Sequence, residues 1–242
     1  MPDLRAALSS AETKAPYVKR LFRTIADRYD LITRLLSFGR DRHWKERLAA
    51  LADPDSGTVA LDLACGTGDI ACELARRGAR VTGLDLTHRM LQLAQAKGGA
   101  AQAVRFVTGD MMALPFPDAS FDLVTAGYGI RNVPRIAPAL AEIRRVLRPG
   151  GRFLSLDFDR PSNPVVRAVY LGYLTIVGAA LGWVLHRDPD TYRYIPESIR
   201  RYPGAAGVAA MLVREGFADA RVVPLLGGLM AINVARRADT IT

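Results

Sequence analysis

The run LDLACGTGD, Leu61 to Asp69, constrains this chain more than any other stretch. Val59 to Leu63 is short, apolar and carries one carboxylate, Asp62; Gly66 and Gly68 follow, and Ile70 to Arg77 reads as a helix. A buried strand that enters a glycine turn and leaves as a helix presents bare backbone N–H groups to a ligand, and glycine is needed where a side chain would collide with it. Two ligand classes fit this pattern. Gly66, Gly68 and Ala71 satisfy the GxGxxA form of a dinucleotide loop, which keeps a nicotinamide-dependent oxidoreductase open. Asp62 points the other way, because a carboxylate beside the loop repels a pyrophosphate and suits a ligand with a positive amino-acid end.

The alternation begun there continues. Strands are expected at Arg80–Leu84, Val104–Thr108, Phe121–Ala126 and Arg152–Phe158, with helices at Met90–Lys97 and Ile136–Leu147 between them. Strands separated by helices call for a parallel sheet covered on both faces. Upstream, Val18, Leu21, Phe22, Ile25, Ala26 and Tyr29 recur at helical spacing and predict one amphipathic helix, and a second is expected from about Asp41 to Leu51. Downstream come a helix near Val208 to Glu215 and two strands, Ala220–Val223 and Leu229–Ala235, joined closely enough for a hairpin, so that the last strand runs antiparallel to its neighbour.

At 242 residues, half of them hydrophobic and 24% charged, the chain has the size and balance of one α/β domain. The expected parts are a helical cap over 1–52, a ligand-binding core over 57–160, a helical insertion over 161–203, and a closing helix with two strands over 204–236. Cys65 and Cys72 fall in one loop and the helix after it, which argues against a disulfide and for a reducing, cytoplasmic setting. Met1 to Thr13 holds Asp3, Arg5 and Glu12 and shows no secretory signal. No residue cluster reads as a metal site.

Further residues separate the two ligand classes. Asp85 ends the second strand, where a carboxylate accepts hydrogen bonds from ribose hydroxyls, and Leu86 follows it. Asp110, after the third strand, is placed to accept from an adenine amino group, with Met111 packing on the ring. LPFPDASFDLV leads into the fourth strand and LRPGG turns from a helix into the fifth. In that order these motifs resemble the class I methyltransferases. The resemblance implies S-adenosyl-L-methionine as cofactor, a Rossmann-like, mostly parallel seven-stranded sheet with an antiparallel last strand, and cofactor contacts from Asp62, Ala64, Gly66, Thr67, Gly68, Asp85, Leu86, Asp110, Met111 and Gly127.

Three longer stretches are more specific: FRTIADRYDLITRLLSFGRDRHW (22–44), GYGIRNVP (127–134) and DTYRYIPESIRRYP (190–203). They resemble the quinone-biosynthesis C-methyltransferases, the demethylmenaquinone and ubiquinone-precursor enzymes, over residues 18 to 235. The family implies methylation of a ring carbon of a polyprenylated quinol. The chain departs from the family pattern at Thr33, Asp41, Asp157 and Asp159, and Gly127 stands where many members place Ser; another lipophilic phenol therefore stays open as acceptor.

Carbon methylation is an in-line displacement in which an acceptor hydroxyl loses its proton, so the site must align two substrates and take that proton. Asp41, His43 and Tyr29 are candidate bases, and Arg131 is a candidate for stabilising the phenolate. Each has a structural alternative: Tyr29 as core, Asp41 as a helix cap, Arg131 as an ion-pair partner.

The last feature is Ala168 to Leu185, 18 residues without charge, bounded by Arg167 on one side and His186 and Arg187 on the other. It reaches the lower edge of a membrane-spanning length, yet a true span would strand the final strands across a bilayer from their sheet. A cap helix that lines a tail channel or dips into the lipid surface is expected instead. The formal charge of +9, from 33 Lys plus Arg against 24 Asp plus Glu, agrees with peripheral contact on the inner face of a membrane. No basic groove with interleaved aromatics points to nucleic acid. A homodimer and a non-catalytic subunit of a membrane-associated assembly also remain open.

Overall fold

The computed structural model describes residues 4–239; the reading of Met1 to Thr13 as free of a signal rests partly on residues 1–3, outside the described ones. Seven strands form one sheet: β1 (Val59–Leu63), β2 (Arg80–Asp85), β3 (Val104–Thr108), β4 (Phe121–Gly127), β5 (Leu147–Phe158), β6 (Phe217–Leu225) and β7 (Met230–Arg237). Their order is β3-β2-β1-β4-β5-β7-β6. The first five are parallel, and β7 enters antiparallel between β5 and β6. That insertion separates the sheet from the 3-2-1-4-5-6 order of nicotinamide-binding domains.

The expected elements stand, with altered bounds. LRPGG leads from a helix into β5 as expected and forms the start of that strand: pairing slips from Phe121↔Leu147 to Leu123↔Arg152, a bulge made where Gly150 takes φ 75°. The single N-terminal helix is corrected. α1 (Leu4–Ala7) and α2 (Ala11–Ile25) come first, a 3₁₀ turn over Ala26–Arg28 breaks the axis, and α3 (Tyr29–Leu36) begins at Tyr29. The Ser10 hydroxyl accepts from the Thr13 N–H at 3.3 Å, which starts α2 earlier than the apolar pattern does.

Two cores flank the sheet because alternate strand residues point to opposite faces. Leu61, Leu63, Val124 and Phe153 pack on α7 (Ile136–Val146) and α10 (Gly204–Arg214). Ala60, Leu123, Leu154 and Ile232 pack on α4 (Asp41–Ala52) and α5 (Asp69–Arg76). α6 (His88–Ala96) connects β2 to β3. A third core joins α1, α2 and α3 to the hairpin α8 (Pro164–His186) and α9 (Asp190–Arg201) through Tyr17, Leu21, Ile32, Tyr192 and Tyr194. α8 and α9 approach closely because Gly178 and Gly182 face α9; a Cβ on Gly182 would lie 2.5 Å from the Asp188 carbonyl oxygen. Strand order reverses between β1 and β4, and the crevice outside their carboxyl ends is where such sheets bind ligands.

Candidate active site

The glycine turn after β1 is built on left-handed backbone, with Ala64 at φ 48°, Gly66 at 53° and Gly68 at 81°. Two carboxylates hold it. Asp62 accepts the Ala71 N–H at 3.1 Å and the Thr125 hydroxyl at 2.7 Å, and its burial pushes the carboxyl up to about 7. Asp85 accepts the Gly66 N–H at 2.9 Å and the Thr87 N–H at 2.8 Å, and burial raises its pKa as well. A cleft lies over this turn. Ala64, Gly66, Asp85, Leu86, Asp110, Met111 and Gly127 line it, together with Gly129, whose added Cβ would sit 2.7 Å from that of Ala64.

The far wall comes from α2. Ala15, Val18, Lys19 and Phe22 lie across the cleft and leave about 110 Å³. That is less than the ~300 Å³ of a typical ligand pocket, and the chemistry of the floor, more than its volume, defines the ligand. Lys14 pins the start of α2: its Nζ donates to the carbonyls of Arg131 at 2.9 Å and Val133 at 2.6 Å. Burial and the neighbouring Arg131 charge lower this lysine to about 8.

The floor fits an adenosyl sulfonium and not a pyrophosphate. Asp85 keeps free lone pairs for ribose hydroxyls, and Asp110, held at one oxygen by the Met112 N–H at 2.8 Å, keeps the other oxygen for an adenine amino group. A dinucleotide would set its phosphates on the N-terminus of α5. Acids already occupy that end: Asp69 lies in its first turn, and Thr67 donates to Asp30 at 2.6 Å. Lys45 and Lys97 bridge to Asp69 at 2.8 and 2.7 Å, so side chains already paired with one another occupy the helix end.

Behind the cleft lies a second, larger cavity of about 520 Å³ between α2, α3, α8 and α9. Its wall is largely apolar and aromatic, with Arg131, Asn132 and Thr191 among the few polar groups; the Thr191 hydroxyl is buried without a partner. Phe22, Tyr29, Tyr128 and Asn132 line both cavities, so a single layer of side chains separates them. Tyr128 is held there under strain. Its backbone takes φ 58°, uncommon for a bulky residue, and its hydroxyl donates to Asp41 at 2.6 Å. Asp41 is paired with Lys45 at 2.5 Å, which ties the shared wall to Asp69 and the glycine turn.

Of the sequence-derived cofactor residues, seven line the cleft. Asp62, Thr67 and Gly68 do not: Asp62 supports the turn from beneath, Thr67 bonds Asp30, and Gly68 starts α5 where a Cβ would press on Phe106 at 3.1 Å. Among the catalytic candidates, Tyr29 lines both cavities, with its hydroxyl pushed up to about 12 by burial. Arg131 lines the larger cavity but is only 5% exposed, with Nε on Asp157 at 3.0 Å and a further bond to Ser198. Asp41 stands one residue behind the wall, under Tyr128. His43 is exposed and lines neither cavity, because α4 turns Asp41, Trp44, Lys45 and Leu48 inward and so points position 43 to solvent. Tyr128 itself was missed, although GYGIRNVP contains it. The covering residues of α2 carried no local signal beyond an apolar stripe.

A glycine turn over a sheet of this order, with acids closing β2 and following β3, defines a class I S-adenosylmethionine-dependent methyltransferase. The fold is matched by a solved structure from Thermotoga maritima described as a SAM-dependent methyltransferase, possible histamine N-methyltransferase: TM-score 0.68 at 18% identity, covering 91% of this chain and 99% of that one. Residues 9–237 match the model of the ubiE/COQ5 methyltransferase family, and the chain belongs to that family. It is 41% identical over 225 residues to the ubiquinone/menaquinone biosynthesis C-methyltransferase UbiE of Rubrivivax gelatinosus, covering 93% of this chain and 88% of the relative. It is 42% identical over 220 residues to the demethylmenaquinone methyltransferase of Thermus thermophilus, covering 90% and 100%. The chain is an enzyme, and its cofactor is S-adenosyl-L-methionine.

Proposed function

We propose that this enzyme methylates a ring carbon of a lipid-tailed quinol. The observation that carries the reading is the shared wall: the nucleoside cleft and a 520 Å³ apolar cavity meet at Phe22, Tyr29, Tyr128 and Asn132. The larger cavity has the size and lining for an aromatic ring with the start of an apolar tail. The names of the Rubrivivax and Thermus relatives support the same substrate class.

Bound over the glycine turn, S-adenosyl-L-methionine supplies a methyl group on a positively charged sulfur. The chain does the rest. Asp85 and Asp110 orient the nucleoside, the glycines let it approach the backbone, and the apolar walls keep water from competing for the methyl group. Arg131 lines the acceptor cavity as half of a buried ion pair with Asp157, so it acts on a ring hydroxyl as a hydrogen-bond donor and not as an uncompensated positive charge. Tyr128 leads from the shared wall to the Asp41 carboxylate and fixes one edge of the space in which the acceptor ring lies.

Incubating the protein with methyl-¹³C-labelled donor and a reduced demethylated naphthoquinol or benzoquinol tests the proposal. The expected product carries the label on a ring carbon, seen by NMR and as a one-methyl mass gain. Donor binding without transfer to either quinol, or label on oxygen, would refute it.

A further inference from the structure

The longest helix in the fold has an uncovered face. α8 runs 23 residues, about 34 Å, and only 17% of its most apolar 18 residues are buried. Those buried are Leu174, Gly178 and Gly182, the stripe turned toward α9. The opposite side leaves Val169, Ile176, Trp183 and Val184 between 66% and 73% exposed. Phe38, just past α3, extends the same surface: it is 73% exposed and stacks on Tyr173 with centroids 5.4 Å apart; Leu31 and Leu35 are exposed one turn apart on α3 itself.

This face is continuous with the larger cavity. Val165, Val169 and Phe38 belong both to the exposed surface and to the cavity lining, with the half-buried Tyr173 between them, so an apolar chain leaving the cavity emerges onto the apolar face. Its charge is mainly basic. Residues 164–187 contain no Asp or Glu and include Arg167 and Arg187; on α3 and just beyond it, Arg34 and Arg40 are exposed, while the exposed Asp30 is paired with Lys97 at 2.9 Å. The helix cannot cross a bilayer, because β5 before it and β7 after it pair along seven residues of one sheet.

We propose that the α8–α3 face is a docking surface for an anionic lipid bilayer, on which the helix lies in the membrane plane and delivers the cavity mouth to the acyl region. The occupant is a membrane and not a second copy of the chain, because an α8 face without acids of its own, bordered by arginines, would oppose its own charge across a two-fold interface and complements anionic headgroups. This rests on the lipid-tailed acceptor for its purpose, but not for its test. Apolar side chains of an in-plane helix reach roughly 5–10 Å into the headgroup boundary, within range of Trp183 and Ile176.

The test is flotation of the full-length protein with quinone-free vesicles of phosphatidylcholine, with and without phosphatidylglycerol, while following Trp183 emission. Expected are flotation with the anionic vesicles, a blue shift quenched by brominated lipid and absent in Trp183→Phe, and binding weakened at least about tenfold in Ile176→Asp/Trp183→Asp. Neither residue lines a cavity, so that variant should keep its melting temperature and its turnover of a short-tailed soluble quinol. Failure to float, unchanged Trp183 emission, equal flotation of the double variant, or a stable dimer that already shields Trp183 would each overturn the inference. A protein that floats but methylates no quinol would instead refute the acceptor assignment and leave the docking surface standing.

Discussion

Replacing Tyr128 by Phe removes one oxygen from the wall between the two cavities. That hydroxyl donates to Asp41 at 2.6 Å, both groups are buried, and a hydrogen bond to a charged partner contributes about 1.5–3 kcal/mol. Asp41 keeps its ion pair with Lys45 at 2.5 Å, so no carboxylate is orphaned and the loss should stay within that range. For a chain of this length it corresponds to a fall in melting temperature of about 3–12 °C, since each kcal/mol moves Tm by roughly 2–4 °C. Catalysis should suffer more. The ring sits on backbone at φ 58°, a conformation that costs about 1–3 kcal/mol and persists only where its surroundings enforce it. Freed at its far end, the ring can shift, and a displacement of about 1 Å in a site that aligns two substrates costs up to about 100-fold in rate. Donor affinity by calorimetry should remain within about twofold while kcat on the quinol falls about 10- to 100-fold. A variant with lowered Tm and unchanged kcat would refute the reasoning and leave the Tyr128–Asp41 bond as scaffolding.

Three further outcomes follow from the buried charges and from the phase of α4. Asp62 has a folded pKa of about 7 against an ordinary 3.8, so its contribution to stability is complete below about pH 4 and is lost as pH rises through 7. Asp62→Asn should therefore match the wild type in urea unfolding at low pH and exceed it at pH 8 by up to roughly 4 kcal/mol; parallel pH profiles would contradict this. Arg131→Met leaves the Asp157 carboxylate buried beside an apolar side chain and should cost about 3–5 kcal/mol in the same assay, whereas a loss of turnover at unchanged stability would assign Arg131 to chemistry alone. His43→Ala should change neither Tm nor turnover by a measurable amount, and a tenfold loss of turnover would restore His43 as a base.

The sheet was legible because strand periodicity and glycine punctuation are local signals. β1, its turn and α5 follow from LDLACGTGD, and Asp85, Asp110 and Met111 reach the cleft because strand ends in a parallel sheet share one edge. Asp62, Thr67 and Gly68 sit in the motif but outside the cleft lining, because a motif marks the turn without separating the residues that line it from those that support it. The outward position of His43 is readable from helix phase, since Trp44, Leu48 and Ala52 already fix the inward face of α4. Tyr128 could not have been found that way. Its importance comes from a positive φ and from a partner 87 residues away, neither of which is written in local composition. The cover provided by α2 likewise depends on tertiary docking, through Lys14 and the carbonyls of Arg131 and Val133.

The most direct measurement is a crystal structure with S-adenosylhomocysteine and a short-tailed demethylated quinone bound together. The nucleoside should rest on Asp85 and Asp110, with the quinone ring across Phe22, Tyr29, Tyr128 and Asn132 and its tail leading toward α8. A quinone ring bound away from that wall, or a nucleoside seated elsewhere than over Gly66, would contradict the account.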